Sequence, residues 1–183
     1  MKGSTPPIPR NGDAADPQTP VILRGHRPGD MGWVIERHGS LYWQEYGWDE
    51  RFEALVARIA ADFIEQLETE RERCWIAERA GERLGCVFLV RDREVPEDAI
   101  ATARLRLLLV TPSARGLGLG QKLVSECTRF ARVAGYRRIV LWTNSVLESA
   151  RRIYEREGYR LIREKPYTAF GKELVSQDWE LLL

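Results

Sequence analysis

The feature that most restricts the fold of this chain is a glycine-rich run between an apolar segment and an amphipathic one. The run reads Arg115-Gly116-Leu117-Gly118-Leu119-Gly120, and the strand-like residues 105–110 precede it. Glycines let backbone N–H groups approach an anion, and the start of a helix adds partial positive charge. The arginine adds a charge-assisted donor whose fork suits phosphate oxygens. The run therefore predicts a phosphate-binding loop, although taken alone it leaves open a glycine-rich turn without a ligand.

Hydrophobic periodicity and turn residues predict the remaining elements. The predicted strands cover residues 21–26, 75–79, 84–91, 101–110, 138–143, 159–163 and 178–183. The predicted helices cover residues 30–38, 50–67, 119–134 and 145–157. The order β-α-α-β-β-β-α-β-α-β-β predicts an α/β fold, with a mixed sheet of about seven strands and helices on both faces.

Several residues are predicted to bound these helices. Asp30 and Asp49 are expected to cap the first two helices, and Gly39 is expected to end the first. Ser145 and Glu148 have the spacing of a capping box at the start of the last helix. We expect one domain over residues 21–183, preceded by a flexible tail over residues 1–20 that is rich in Pro, Gly, Asp and Thr.

Composition excludes several classes of function. The formal net charge of +1 gives no overall field toward nucleic acid or an anionic membrane. The chain has no apolar run of the roughly 18–20 residues that a membrane span needs, and no signal-peptide pattern. The three cysteines, Cys74, Cys86 and Cys127, lie far apart without metal-ligand spacing. They predict buried, reduced thiols in a cytoplasmic protein that binds no metal.

The element order and the residues within it resemble the GNAT superfamily of acetyl-CoA-dependent N-acetyltransferases over residues 21–183. The superfamily signature Arg/Gln-x-x-Gly-x-Gly/Ala, which follows a strand, matches the run from Arg115 to Gly120. Asn144 at the end of the next strand, Tyr154 in the next helix and the pair Gly158-Tyr159 match further family features. The resemblance implies a GNAT acyl-CoA N-acyltransferase fold.

Two stretches are similar to the GNAT domains that are fused, in related proteins, to winged-helix regulators of the MarR type. They begin at His38-Gly39-x-Leu41-Tyr42 and at Phe170-Gly171-x-x-Leu174. The chain has no helix-turn-helix candidate, so we expect a catalytic domain that stands alone. Dimerisation is common in the superfamily, and the sequence leaves a homodimer open.

The resemblance also implies how acetyl-CoA is held. The pyrophosphate would rest on the backbone N–H groups of Gly116, Leu117, Gly118, Leu119 and Gly120, with Arg115 alongside. The pantetheine arm would pair with the free edge of the preceding strand at Leu108, Leu109 and Val110, with the Val110 N–H facing the thioester oxygen. Asn144 would contact the pantetheine arm through its side chain.

The implied reaction moves the acetyl group directly to a primary amine of a small molecule or protein. Tyr154 is predicted to be the general acid that protonates the leaving thiolate, because a phenol stays protonated at neutral pH. The general base is less defined, since residues 101–110 lack the carboxylate that many family members carry there. Glu45 is the first candidate, His38 is a second, and a chain of waters is a third.

The acceptor pocket is predicted to be aromatic. Tyr42, Trp43, Tyr46 and Trp48 would wall it together with His38, since family members build this pocket between the first two helices. Such a wall can stack on a ring or hold an ammonium group. Residues 165–171 would form the other lip of the pocket.

Two other functions fit parts of the sequence. A non-catalytic acyl-CoA sensor is suggested by the missing strand carboxylate. A Rossmann dinucleotide binder fits poorly, because the glycines are spaced Gly-x-Gly-x-Gly and the following strand ends in Asn144 instead of an acid.

Overall fold

The computed structural model describes residues 19–94 and 100–183. Its strands are β1 (Ile22–Gly25), β2 (Arg73–Arg79), β3 (Glu82–Arg91), β4 (Thr102–Val110), β5 (Arg138–Asn144), β6 (Arg160–Ala169) and β7 (Lys172–Leu182). Its helices are α1 (Asp30–Tyr46), α2 (Glu50–Glu65), α3 (Leu119–Val133) and α4 (Glu148–Glu157). This order confirms the predicted sequence of elements. The predicted tail lies outside the described residues, apart from positions 19 and 20.

The seven strands form one mixed sheet in the order β1-β2-β3-β4-β5-β7-β6. Alternate residues of β3 face opposite sides: Val87 and Leu89 pack with α3 and α4, whereas Cys86 and Phe88 pack with α1 and α2. Helices therefore cover both faces, as predicted. In the described chain only β4 and β5 pair in parallel, which excludes the parallel sheet of a Rossmann domain.

The two parallel strands separate after four residue pairs. Residues 102–105 of β4 pair with residues 138–141 of β5, and the last pair is Leu105 with Leu141. Beyond this point β4 continues to Val110 with only β3 beside it. A bulge in β4 marks the divergence, where Leu107 has a left-handed φ of 53°. One edge of residues 106–110 thus has no partner strand among the described elements.

The first helix is longer than predicted. We expected Gly39 to end it, but α1 continues to Tyr46 and stops at Gly47, whose φ of 65° is left-handed. A Cβ at Gly39 would lie 2.9 Å from a carboxylate oxygen of Glu53 in α2. Gly39 therefore permits a close approach of two helices, and the stabilisation gained from packing outweighs the low helix propensity of glycine.

The predicted caps are confirmed at one helix and wrong at two. The Asp49 carboxylate accepts a hydrogen bond from the Arg51 N–H at 3.1 Å, as predicted. The Asp30 carboxylate instead accepts from the Arg27 N–H and pairs with Arg24 and Arg83, so Gly29 occupies the cap position. Helix α4 begins only at Glu148 and has no side-chain cap, so the capping box is absent.

The closing hairpin differs from its prediction, whereas the three cysteines agree with theirs. Strands β6 and β7 form a hairpin that is longer than predicted, because it takes in residues 164–169 and 172–177. Cys74, Cys86 and Cys127 are buried and free, as predicted. No helix among the described residues is long and apolar enough to cross a bilayer.

Candidate active site

The glycine-rich loop presents unpaired backbone amides at the start of α3. Gly116 and Gly118 have φ values of 79° and 70°, in the left-handed region that favours glycine. Within the described chain, the N–H groups of residues 116–120 donate to no backbone carbonyl. The first turn of α3 carries no acidic side chain and no side-chain cap. The loop is therefore open to an external anion.

The loop is also held against the next helix. A Cβ at Gly120 would lie 2.6 Å from Cδ1 of Ile153 in α4. By contrast, a Cβ at Gly116 or Gly118 would meet no atom within 4 Å. Gly120 thus serves packing, whereas the other two glycines provide backbone conformation and open space.

A cavity of about 410 Å³, the outer cavity, lies between this loop and the free edge of β4. Its walls include most of the predicted cofactor residues: Leu108, Leu109, Val110, Arg115, Gly116, Gly118, Leu119 and Gly120. Leu117 is 58% exposed and does not line it. Arg156 of α4 also lines the outer cavity, and the sequence analysis missed it.

Arg115 is paired with Glu45 in the wall of the outer cavity. Its Nη2 donates to Glu45 Oε1 at 2.7 Å, and both side chains are partly exposed to solvent. Glu45 lies in the last turn of α1, not in a loop between the first two helices. Such an exposed pair contributes little to stability, so a phosphate can replace the carboxylate at small cost.

A second cavity, the inner cavity, has a volume of about 330 Å³. It shares Tyr42, Leu108, Leu147 and Ala150 with the outer cavity. The two cavities therefore meet where β4 and β5 have separated. The volume lies within the range of small-molecule sites in proteins.

Tyr154 faces the inner cavity from α4 and is buried. It packs against the rings of Tyr159 and Trp179. Burial, and secondarily the neighbouring Tyr42 hydroxyl, raises the pKa of Tyr154 well above its ordinary value. The phenol is therefore protonated throughout the neutral range and can donate a proton.

Asn144 lines the inner cavity at the end of β5 and is held by a tyrosine of β6, the strand beyond β7 in the sheet. Its Oδ1 accepts a hydrogen bond from the Tyr167 hydroxyl at 2.9 Å. Asn144 is 1% exposed. Tyr167 is thus an orienting residue that the sequence analysis placed only within a pocket lip.

The aromatic residues in the second half of α1 and just after it lie in several environments. Tyr42 and Trp48 line the inner cavity and pack on Phe52, whereas Tyr46 lines the outer cavity. Trp43 is 66% exposed and lines neither cavity, so its predicted place in the pocket wall is wrong.

The predicted second lip is also wrong. Residues 165–171 line neither cavity, and most of them belong to β6. Phe170 packs on Trp48 at a ring-centroid distance of 5.0 Å, within the core between the sheet and α1 and α2.

His38 borders the inner cavity as a neutral imidazole. Its Nδ1 lies 2.8 Å from the Val34 carbonyl oxygen, to which it donates when neutral. Burial lowers the pKa of His38 to about 4. Nε2 is buried and has no hydrogen-bond partner among the described residues.

Arg106 is another cavity residue that the sequence analysis did not predict. It lines the inner cavity from β4 and is half-buried. The signal was present in the sequence, since arginines at positions 104 and 106 interrupt an otherwise apolar strand. No cluster of three or more potential metal ligands occurs within residues 19–94 and 100–183.

Comparison with known proteins finds relatives of this chain. The model of the acetyltransferase (GNAT) family matches residues 34–159. Human N-acetyltransferase 8 is 28% identical over 116 residues, which cover 62% of this chain and 50% of that protein. Mycothiol acetyltransferase of Sanguibacter keddieii is 29% identical over 162 residues, covering 87% of this chain and 49% of the relative. The chain thus spans about half the length of these two relatives.

Solved structures share the fold at low sequence identity. An N-acetyltransferase of Staphylococcus aureus superposes with a TM-score of 0.74 and 18% identity, covering 90% of this chain and 99% of its own. The acetyltransferase yncA of Salmonella typhimurium, solved with its cofactor acetyl-CoA, superposes with a TM-score of 0.69 and 20% identity, covering 88% and 93%.

Proposed function

The chain belongs to the acetyltransferase (GNAT) family, and from this premise we propose that it moves the acetyl group of acetyl-CoA directly to a primary amine. One observation carries the proposal. The gap between the diverging strands β4 and β5 connects a glycine loop suited to a diphosphate with a cavity faced by a buried tyrosine. An extended thioester cofactor fits this arrangement, since its anionic and reactive ends lie far apart.

The diphosphate is proposed to bind the amides of residues 116–120 in the outer cavity. It replaces Glu45 as the partner of Arg115, and Arg156 adds a second cation. The unpaired amides and the absence of an acidic residue from the first turn of α3 support this assignment.

The pantetheine arm is proposed to lie along the free edge of β4, beside Leu108, Leu109 and Val110. The Val110 N–H polarises the thioester carbonyl there, and Asn144 contacts the arm near β5. A backbone donor of this kind stabilises the charge that develops on the carbonyl oxygen during reaction.

The chemical step begins when the amine nitrogen attacks the thioester carbon and forms the C–N bond. The C–S bond then breaks, the thiolate takes the proton of Tyr154, and the amine nitrogen loses its surplus proton. The products are an N-acetyl amide and the free thiol of CoA, and Tyr154 regains its proton from solvent. Tyr154 is buried and protonated at neutral pH, so it holds the proton that the thiolate takes.

For deprotonation of the amine we favour serial waters among the three alternatives. Glu45 pairs with Arg115 at the outer cavity, which favours a role beside the phosphates. His38 Nε2 is closed off from solvent, which makes direct proton transfer to it difficult. Glu45 stays a prediction for the base and is tested below.

The proposal is tested by measuring free thiol release from acetyl-CoA over a panel of primary amines. We expect turnover in the unaltered protein and a fall of about 100-fold or more in Tyr154→Phe, with little change in acetyl-CoA affinity. Tyr159→Phe is the matched control, because Tyr159 is buried in the same core and lines neither cavity.

A non-catalytic acyl-CoA sensor is the second candidate, favoured by the lack of a carboxylate on β4. Both functions require acetyl-CoA binding, so turnover separates them. Acetyl-CoA binding without thiol release for any amine would favour the sensor. Cytoplasmic location, dimerisation and the likeness to MarR-fused domains stay predictions.

A further inference from the structure

Arg106 is a charged side chain at the inner cavity with no protein partner in the described chain. It extends from the middle of β4, is half-buried and lines the inner cavity. Among the described residues it makes no hydrogen bond or ion pair. Partly buried charged groups in proteins are normally paired, so an unpaired one needs an explanation.

Two of the three nearby acidic side chains are already bonded by another arginine. Arg104 lies two residues earlier on the same face of β4 and bonds Asp92 at 3.0 Å and Glu94 at 2.8 Å. Loss of hydration is the main factor that lowers the pKa of Arg106, and the adjacent Arg104 charge adds to it. The carboxylates of Asp62, Asp92 and Glu94 act on Arg106 only through space. Its donors therefore remain available.

We infer that Arg106 binds an anionic group of the acceptor, which is then a small primary amine that carries a carboxylate or a similar oxyanion. A guanidinium presents a planar fork that fits such a group with two hydrogen bonds. The inference rests on the proposed function, since it names the acceptor class for the same cavity.

The position of Arg106 determines how the acceptor is oriented in the inner cavity. Leu108, two residues further along β4, forms part of the wall between the two cavities. Two residues of an extended strand span about 7 Å, and the bulge at Leu107 shortens this distance. The oxyanion therefore lies at the end of the inner cavity away from the glycine loop, and the amine points toward Leu108 and Tyr154.

The apolar part of the inner cavity wall defines the body of the acceptor. Tyr42, Trp48, Phe52 and Trp142 contribute aromatic surface, and Leu55 and Ile59 contribute aliphatic surface. A cavity of about 330 Å³ holds a compact molecule with an apolar side chain. These features favour an amino-carboxylate over a protein lysine.

The experiment measures kcat/KM for thiol release with matched acceptor pairs. L-phenylalanine, L-methionine and β-alanine are each compared with the corresponding carboxamide, which keeps the amine and removes the negative charge. The proteins are the unaltered chain, Arg106→Gln, Arg106→Lys and the control Arg129→Gln. Arg129 is an exposed arginine of α3 that contacts Glu126 and lines neither cavity.

We expect the unaltered chain and Arg129→Gln to prefer at least one acid over its amide by about 10- to 100-fold. Arg106→Gln should lose this preference, and its unchanged affinity for acetyl-CoA reports correct folding. Arg106→Lys should retain part of the preference. Equal use of acids and amides by the unaltered chain, or an unchanged preference in Arg106→Gln, overturns the inference.

A binding measurement separates this inference from the proposed function. The same acids are titrated calorimetrically into the complex of the protein with CoA. If no amine is acetylated but an acid binds the unaltered chain and not Arg106→Gln, the transferase proposal fails and the anion site stands. If no acid is acetylated or bound, the anion site is wrong.

Discussion

At the scale of single residues, His38 shows how burial sets a charge state. Burial lowers its pKa from the ordinary value of 6.5 to about 4, and this outweighs the hydrogen bond to Val34. Between these pH values the unfolded chain binds a proton that the folded chain does not. Stability is therefore complete above about pH 6.5 and falls as the pH drops toward 4.

We expect the free energy of unfolding to decrease by about 2–3 kcal/mol through His38 between pH 7 and pH 4. Urea unfolding over this range measures the slope, and His38→Phe should remove this part of it because phenylalanine does not titrate. His26→Gln is the control, since His26 is the other of the two histidines. An unchanged slope in His38→Phe would show that the imidazole is not held neutral.

Glu45 provides the second test at this scale. Its carboxylate holds Arg115 at 2.7 Å, where the diphosphate is proposed to bind. Replacing Glu45 with Gln removes a negative charge from the outer cavity, so we expect acetyl-CoA to bind a few-fold more tightly. The value of kcat should change by less than about threefold, because serial waters carry the proton.

Stopped-flow binding and steady-state thiol release measure the two quantities for Glu45→Gln. Glu36→Gln is a suitable control, since Glu36 is an exposed glutamate of the same helix that lines neither cavity. A loss of about 100-fold in kcat with unchanged affinity would instead identify Glu45 as the general base.

The roles of the signature residues could be predicted from the sequence, but the residues that they contact could not. The role of the loop glycines can be predicted from the sequence, because a left-handed backbone and exposed amides require glycine. The contact of Arg115 with Glu45 depends on the length of α1. The lack of a partner for Arg106 depends in part on Arg104, which bonds Asp92 and Glu94. Such contacts follow from tertiary geometry, which residue spacing does not contain.

At the scale of elements, the divergence of β4 from β5 is the feature with the most direct consequence. Pairing ends at Leu105 and Leu141, so one edge of residues 106–110 lacks strand partners. If pantetheine pairs with this edge, acetyl-CoA should slow amide hydrogen exchange in peptides that cover residues 106–110 and 116–121. Peptides that cover residues 138–141 should change little, since these residues are already paired on both sides.

The exchange experiment has a built-in comparison. Adenosine diphosphate carries the diphosphate without the pantetheine arm, so it should protect only residues 116–121. Protection of residues 106–110 by both ligands, or by neither, would contradict the proposed path of the arm along β4.

Most helices and strands were predictable because their hydrophobic periodicity and the glycines that follow them indicate the same boundaries. The error at α1 arose from Gly39, which favours a helix end by propensity but lies where α1 and α2 approach closely. The extension of β6 was missed because its residues are nearly all exposed and show little apolar alternation. Local rules fail at these two places because tertiary packing decides the outcome.

At the scale of the whole molecule, the three cysteines are distributed between the two hydrophobic cores that flank the sheet. Their reactivity therefore measures how readily each core opens. Cys74 and Cys86 lie in the core under α1 and α2, whereas Cys127 lies in the core under α3 and α4. Burial raises the pKa of all three thiols, so the reactive thiolate is scarce in the folded state. Cys86 also donates a weak hydrogen bond to the Leu107 carbonyl at the bulge of β4.

We therefore expect the folded protein to react with an aromatic disulfide such as Ellman's reagent only as fast as it opens. Three thiols per chain should react at once in denaturant. Comparing Cys127→Ser with Cys74→Ser in native buffer assigns the slow reaction to one core or to both. Equal slow rates for the remaining thiols would mean that the two cores open together, because a single sheet forms the floor of both. Rapid reaction of any thiol in the folded protein would contradict the burial on which this expectation depends.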